Sequence, residues 1–377
     1  MIYLDNAATT YPKPRSVHNA VMRAMNNYGA NPGRSGHSMS MASALEIYKC
    51  RETAAEMFNA PGAECVVFTL NCTHATNMVL KGLLKPGDHV VTSCLEHNAI
   101  MRPLKKLEEF GIKHTVAEVY PCDNDKTVDS FRKCITSKTT LIACTCASNV
   151  WGIRLPIERI AALAKVYGIM MMVDAAQGAG VIPIDVTESK IDYLCLAGHK
   201  GLYGPMGTGM LITSRADKLN TIIEGGTGTN SLSFYQPSDM PEKLESGTPN
   251  VMGICGLGAG MEFVKQRGIK NISKHESQLI NYLYERLRKI KNVELYMPKP
   301  DEKYFAPLLS FNIKDKDSES VSNILNKNGI QVRAGLHCAP AAHKFCGTLE
   351  KGAVRVCPSA FTTRKEIDRL VSIVKKI

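Results

Sequence analysis

Short apolar runs recur through the first half of the chain, at Cys65–Thr69, His89–Ser93, Thr140–Thr145, Ile169–Asp174, Tyr193–Ala197 and Thr208–Thr213. Each has the length of a strand. Amphipathic stretches lie between them, among them Asn98–Glu109 and Ile157–Tyr167. The second begins just after Pro156, a residue that suits a helix start. Strand and helix alternating at this spacing predict an α/β protein with a mainly parallel sheet and helices on both faces. In such sheets ligands bind at the carboxyl ends of the strands.

The pattern changes after about Gly256. Ser273 to Ile290 predicts a long helix with Leu279, Ile280, Leu283, Leu287 and Ile290 along one stripe. A strand at Leu308–Ile313, a polar helix at Ser318–Asn326, a short strand at Gln331–Val332 and a closing helix at Arg364–Lys375 follow. This part predicts a smaller α/β domain, against which the first residues pack. The expected division is a large domain over 16–255 and a small one formed by 1–15 and 256–377. No repeat or low-complexity stretch interrupts it.

Composition adds bounds. The 377 residues are 44% hydrophobic and 21% charged, as in a soluble globular protein. The net charge of +11 comes from scattered basic residues, many facing acids as in Lys105–Glu109. There is no basic tail or basic-aromatic platform, which argues against nucleic acid as a partner. The positive balance suits anionic ligands or an acidic protein partner. No run of about eighteen apolar residues is present, so no membrane span is expected. Thirteen cysteines, many inside apolar runs and none in a CxxC pair, point to a reducing, cytoplasmic setting.

The chemistry sits at strand ends. Lys200, in Ala197-Gly198-His199-Lys200, follows an apolar strand and precedes a glycine-rich loop. A buried lysine loses basicity and can link covalently to an aldehyde cofactor. Asp174 ends an equally apolar strand and needs a cationic partner, for which a protonated pyridine nitrogen qualifies. Gln177 lies three residues on, in reach of a ring oxygen. The turn carrying Cys72 and Thr73 opens a helix after a strand, an arrangement that binds anions. His97 follows another strand and can stack on a flat ring. Far along the chain, Arg333 and His337 precede Cys338. A cysteine there can attack a substrate whose carboxylate an arginine holds, and a nearby arginine and histidine favour its thiolate. Together these residues read as pyridoxal phosphate chemistry ending in sulfur transfer.

Over nearly its whole length the chain resembles the class V aminotransferase-like pyridoxal phosphate enzymes, and among them cysteine desulfurases of the SufS-like type. The resemblance rests on Tyr3–Thr10, Glu96-His97, Ser148–Gly152, Val173–Gln177, Gly198-His199-Lys200, Glu245–Asn250 and Val332–Cys338. It implies the aspartate aminotransferase-like fold (fold type I), with a seven-stranded sheet. It implies that Lys200 carries the cofactor and moves protons, Asp174 pairs with the ring nitrogen, Gln177 contacts the ring oxygen and His97 stacks on the ring. Thr73 and His199 would bind the phosphate, with Cys72 beside them. Thr248 would reach the phosphate of a neighbouring subunit, which implies a homodimer. Asn149 and Arg355 would hold the carboxylate of L-cysteine, with Arg333 and His37 close by. Cys338 would take the sulfur and pass it to an acceptor protein. The chain departs from the family pattern at Asn71–His74, where Gly-Thr-Thr-Glu is common, and at Ala197, where serine is common.

Rival readings remain at this level. A selenocysteine lyase acting on L-selenocysteine shares the cofactor logic, as does another β-elimination or a transamination. A zinc site built from His337, Cys338, His343 and Cys346 is a rival of another class, but it leaves Lys200 and Asp174 without a role.

Overall fold

A computed structural model describes residues 1–33 and 36–377. The chain opens with a two-residue strand, β1 (Ile2–Tyr3), and two helices, α1 (Arg15–Asn27) and α2 (Ser38–Phe58). A seven-stranded sheet follows, made of β2 (Val66–Thr69), β3 (His89–Ser93), β4 (Lys113–Ala117), β5 (Thr139–Thr145), β6 (Met170–Asp174), β7 (Tyr193–Ala197) and β8 (Gly209–Ile212). Its order is β2-β8-β7-β6-β5-β3-β4. The strands from β7 to β4 are parallel, and β8 runs antiparallel to both β7 and β2. The helices α3 (Cys72–Leu83), α4 (Asn98–Glu108), α5 (Asn124–Cys134) and α6 (Ile157–Val166) connect the strands.

The sheet is covered on both sides, which is why its central strands are apolar without alternation. In β5, Leu141 and Ala143 join one core while Ile142 and Cys144 join the other. Each fully buried Leu or Ile in these strands contributes about 1.5–3 kcal/mol. The six expected strands are all present, with ends shifted by a residue or so. Cys65 falls in a 3-10 turn before β2. β4 is the seventh strand that the resemblance implied and the apolar pattern did not mark; it lies at the sheet edge, where polar Lys113 and Thr115 face solvent. Strand order reverses between β3 and β5, so their carboxyl ends flank a crevice.

Beyond the sheet come α7 (Val251–Arg267), α8 (Ile269–Leu287), β9 (Val293–Leu295), β10 (Leu309–Ile313), α9 (Ser318–Lys327), β11 (Ile330–Gln331), α10 (Pro340–Phe345), β12 (Val354–Val356) and α11 (Arg364–Val374). A three-stranded sheet, β12-β10-β9, has its own core, to which α8 gives the expected Leu279, Ile280, Leu283 and Leu287. β1 pairs in parallel with β11, so the first residues of the chain join this part of the fold. α7 runs unbroken through residues 255 and 256 and packs on α1 and α2. Its glycines permit that packing. A Cβ on Gly256 would lie 2.6 Å from Pro205, and one on Gly260 would lie 2.3 Å from the Leu202 carbonyl. Among the described residues no helix is long and apolar enough to cross a membrane.

Candidate active site

The ends of β3, β5, β6 and β7 open on a cavity of about 220 Å³. Cys72, Thr73, His97, Asp174, Gln177, His199 and Lys200 line it from the large sheet, and Asn149 from the loop after β5. Arg333, His337 and Arg355 close it from the other side. Most of the residues singled out in the sequence therefore meet in one place.

Lys200 lies just beyond β7. Burial pushes its ammonium pKa down, Arg355 and Arg333 push the same way, and Asp174 and Cys72 oppose them. The net effect is an amine less basic than an ordinary lysine. Asp174 ends β6 and is 3% exposed. Its Oδ1 accepts from the Ala176 amide at 2.9 Å and from the Cys72 thiol at 3.3 Å. The Cys72 thiol therefore supports Asp174, whereas the sequence suggested a phosphate contact. Burial, reinforced by the charge of Asp174, raises the Cys72 pKa well above its usual range. Gln177 is held by its Nε2 on the Ala7 carbonyl at 3.0 Å.

The amino end of α3 lines the cavity through Asn71, Cys72 and Thr73, with Asn71 Oδ1 accepting the His74 amide at 2.9 Å. His199 also lines the cavity, its Nδ1 buried without a partner among the described residues. Burial, with Lys200 and Lys13 adding, pushes its pKa down to about 4, so the ring is neutral near pH 7. His97 caps α4 by accepting the Ala99 amide on Nδ1 at 3.0 Å, which leaves Nε2 as its other ring nitrogen. Burial also lowers the His97 pKa, against the pull of Asp174.

Arg355, in β12, is 1% exposed. Its Nη1 donates to the Asn149 carbonyl at 2.9 Å and its Nη2 to Asp5 Oδ1 at 2.7 Å. Its Nε is buried without a partner among the described residues. One edge of the guanidinium is thus fixed while Nε remains to be satisfied. Asn149 donates Nδ2 to the His337 carbonyl at 2.8 Å, and its Oδ1 is likewise unpartnered. So oriented, Asn149 offers an acceptor, which does not fit the carboxylate role the sequence suggested. Asp5 belongs to the Tyr3–Thr10 stretch, but sequence reasoning gave it no role. Its only signal there is a charge at the end of an apolar start.

Cys338 is exposed, with Arg333 Nη2 4.0 Å from its Sγ. Its neighbour His337 does not help it as the sequence implied. That ring turns inward, with Nδ1 3.2 Å from His343 Nε2, and burial pushes its pKa down to about 2. An uncharged imidazole supplies no positive charge to a thiolate, so Arg333 is the cation beside Cys338. Cys338 itself, Thr248 and His37 do not line the cavity; Cys338 adjoins it through Arg333, which does. Thr248 accepts from Asn31 Nδ2 at 3.3 Å, and exposed His37 caps α2. Among the described residues no three His, Cys, Asp or Glu side chains gather as a metal site.

A parallel sheet that collects a buried lysine, a buried aspartate and a helix amino end at its carboxyl edge places the chain in a known class. It belongs to the aminotransferase class-V family, whose model matches residues 2–370. Within that family, relatives it matches over nearly the whole length are cysteine desulfurases. A probable cysteine desulfurase of Methanothermobacter thermautotrophicus is 34% identical, over 100% of this chain and 94% of that one. The cysteine desulfurase of Haloferax volcanii is 31% identical over 99% of this chain and 88% of its own. Among solved structures, the apo cysteine desulfurase of Thermococcus onnurineus matches with a TM-score of 0.93 at 30% identity, covering 100% of this chain and 94% of that one. The cysteine desulfurase CsdA of Escherichia coli matches at 0.88 and 29% identity, covering 99% and 94%.

Proposed function

We propose that this chain is a pyridoxal phosphate-dependent cysteine desulfurase. It removes sulfur from L-cysteine, releases L-alanine and keeps the sulfur as a persulfide on Cys338. The observation that carries this reading is a buried lysine of lowered basicity sharing one cavity with Asp174 and two arginines, one of them 4.0 Å from the Cys338 sulfur. The cavity's donor set fits the cofactor. A carboxylate suits the pyridine nitrogen, a helix amino end suits the phosphate, and the orphaned His199 Nδ1 and Asn149 Oδ1 call for partners that a bound group would bring.

The cofactor, once bound, supplies a sink for the electron pair released at the substrate α-carbon. The chain's residues do the rest. Lys200 holds the cofactor and takes the α-proton on Nζ. Asp174 keeps the ring nitrogen protonated, Gln177 contacts the ring oxygen, and His97 covers the ring. Thr73 and His199 take the phosphate. Arg355, whose Nε is the donor still without a partner, orients the substrate carboxylate, and Arg333 supports it. The Cys338 thiolate attacks the substrate sulfur. A sulfur–sulfur bond forms, the carbon–sulfur bond breaks, and its electron pair goes to carbon, where protonation yields alanine.

The cavity draws on both proposed domains: Lys200 and Asp174 come from 16–255, and Arg333 and Arg355 from 256–377. A homodimer fits the exposed Thr248 and the exposed Leu232, Phe234 and Tyr235 of the same excursion, a patch that calls for a cover. Thr248 would then reach the neighbouring subunit's phosphate. An acidic acceptor protein fits the net charge of +11. Thirteen free thiols fit the reducing cytoplasm.

The test is to incubate the protein with L-cysteine and with L-selenocysteine, with and without reductant, and to measure alanine, sulfide and selenide. Alanine equal to the sulfur found on Cys338 and released supports the reading. Turnover of L-selenocysteine alone overturns it in favour of a lyase.

A further inference from the structure

Cys338 stands on a turn that side chains other than glycine avoid. His337 has φ +50° and Cys338 has φ +55°. Two successive left-handed residues that both carry a Cβ are strained, and such a turn persists only where its surroundings hold it. The main chain is held twice. The His337 carbonyl accepts Asn149 Nδ2 at 2.8 Å, and the Cys338 carbonyl accepts the Asn98 amide at 2.7 Å, beside His97.

A side-chain tether completes the hold. His337 Nδ1 lies 3.2 Å from His343 Nε2, with the rings parallel to within 6° and their centroids 5.5 Å apart. His343 Nδ1 lies 2.8 Å from Thr348 Oγ1. Thr348 Oγ1 also lies 3.4 Å from the His343 carbonyl, to which it can donate. Burial keeps both rings uncharged near pH 7, with His343 pushed down to about 4. With both rings neutral, one nitrogen of the His337 Nδ1–His343 Nε2 pair donates and the other accepts. The base of the tether is firm, because Trp151 Nε1 donates to the Ala342 carbonyl at 2.7 Å and its ring packs on His343 at 5.5 Å. Neither His343 nor Thr348 lines the cavity.

We propose that Thr348, His343 and His337 form a positioning chain for sulfur transfer: they hold the strained turn so that Cys338 Sγ stays beside Arg333, which lines the cavity. The proposal rests on the desulfurase reading and concerns only the step in which the sulfur–sulfur bond forms.

The test compares wild type with His343→Leu and His343→Gln, both loaded with cofactor. In His343→Leu, persulfide on Cys338 in a single turnover, read by mass spectrometry, should form about tenfold more slowly or worse. The absorbance change on adding L-cysteine should be unaltered, since binding does not use the tether. Alkylation of Cys338 by iodoacetamide in the resting protein should slow as the thiol leaves Arg333. Gln at 343 can donate to His337 or accept from it and should restore most of the rate. A wild-type persulfide rate in His343→Leu overturns the proposal, as does a loss matched by weaker L-cysteine binding. If His343→Leu does not fold, Thr348→Val is read the same way, with Thr348→Ser as its rescue. If wild type forms no persulfide on Cys338, the desulfurase reading fails, and alkylation alone decides whether the tether holds the thiol.

Discussion

Arg355 and Asp5 are 350 residues apart in the chain and 2.7 Å apart in the fold. Asp5 balances a guanidinium that is almost wholly buried, and it fixes which edge of that group is left for a ligand. Asp5→Asn keeps the shape and removes the charge. It should cost about 3 kcal/mol of stability in chemical denaturation, because a buried cation loses its counter-charge. It should also raise the KM for L-cysteine about tenfold while changing kcat less. Arg355→Lys should raise KM as well, since a point charge lacks the fork geometry. An unchanged KM in both variants would make the pair purely structural.

Purified protein supplied with pyridoxal phosphate should be yellow, and borohydride should fix the cofactor to Lys200 within one identifiable peptide. Lys200→Ala should still bind the cofactor and show no turnover. Lys200→Arg should fail too, because a guanidinium stays protonated and cannot act as the nucleophile. Cofactor fixed to any other lysine would contradict the assignment.

Asp174→Asn should weaken cofactor retention in dialysis and slow turnover about a hundredfold or more. Without the carboxylate, a buried pyridine nitrogen loses its proton and the ring withdraws electrons poorly. Near-normal turnover in this variant would remove Asp174 from the mechanism.

Glu96 gives a pH dependence. It is fully buried, with Oε1 accepting from Ser93 Oγ and from the Thr145 amide, and burial pushes its pKa up to about 8. Between about pH 4.5 and 8 the unfolded chain releases this proton while the folded chain keeps it. Stability therefore falls as pH rises through that window and levels off above it. Glu96→Gln keeps an acceptor at Oε1 and should flatten this slope, leaving the variant more stable than wild type at pH 8. Parallel slopes in urea titrations at pH 5, 6.5 and 8 would show that Glu96 is ionised in the fold.

Cys338→Ala should still give the absorbance change with L-cysteine and should form no persulfide. Mass spectrometry after one turnover of wild type should place one added sulfur on Cys338. Sulfur found on another cysteine would rule out attack by the Cys338 thiolate.

The strands of the large sheet were legible because strands buried on both faces are continuously apolar. β4 was not, because an edge strand with Lys113 and Thr115 reads as polar chain. α7 was hidden by the glycines that let it pack, since glycine-rich sequence speaks against a helix. Lys200, Asp174 and Gln177 could be picked out because a polar residue directly after a buried strand needs a reason. The inward turn of His337, the Cys72–Asp174 bond and the Asp5–Arg355 pair depend on contacts between distant segments. No local pattern encodes those.

The pairing of β1 with β11 bears on how the protein is made. A ribosome releases the first strand early and its partner almost last. Ile2 and Tyr3 must wait through most of synthesis before Ile330 and Gln331 emerge, and Asp5 waits longer still for Arg355. The sheet that carries Lys200 has all its strands by Ile212, so it can assemble while the rest is being translated. On the proposed reading, the nascent chain can meet a cofactor before the guanidinium assigned to the substrate carboxylate exists, and a chain cut short before Arg355 leaves Asp5 without its partner.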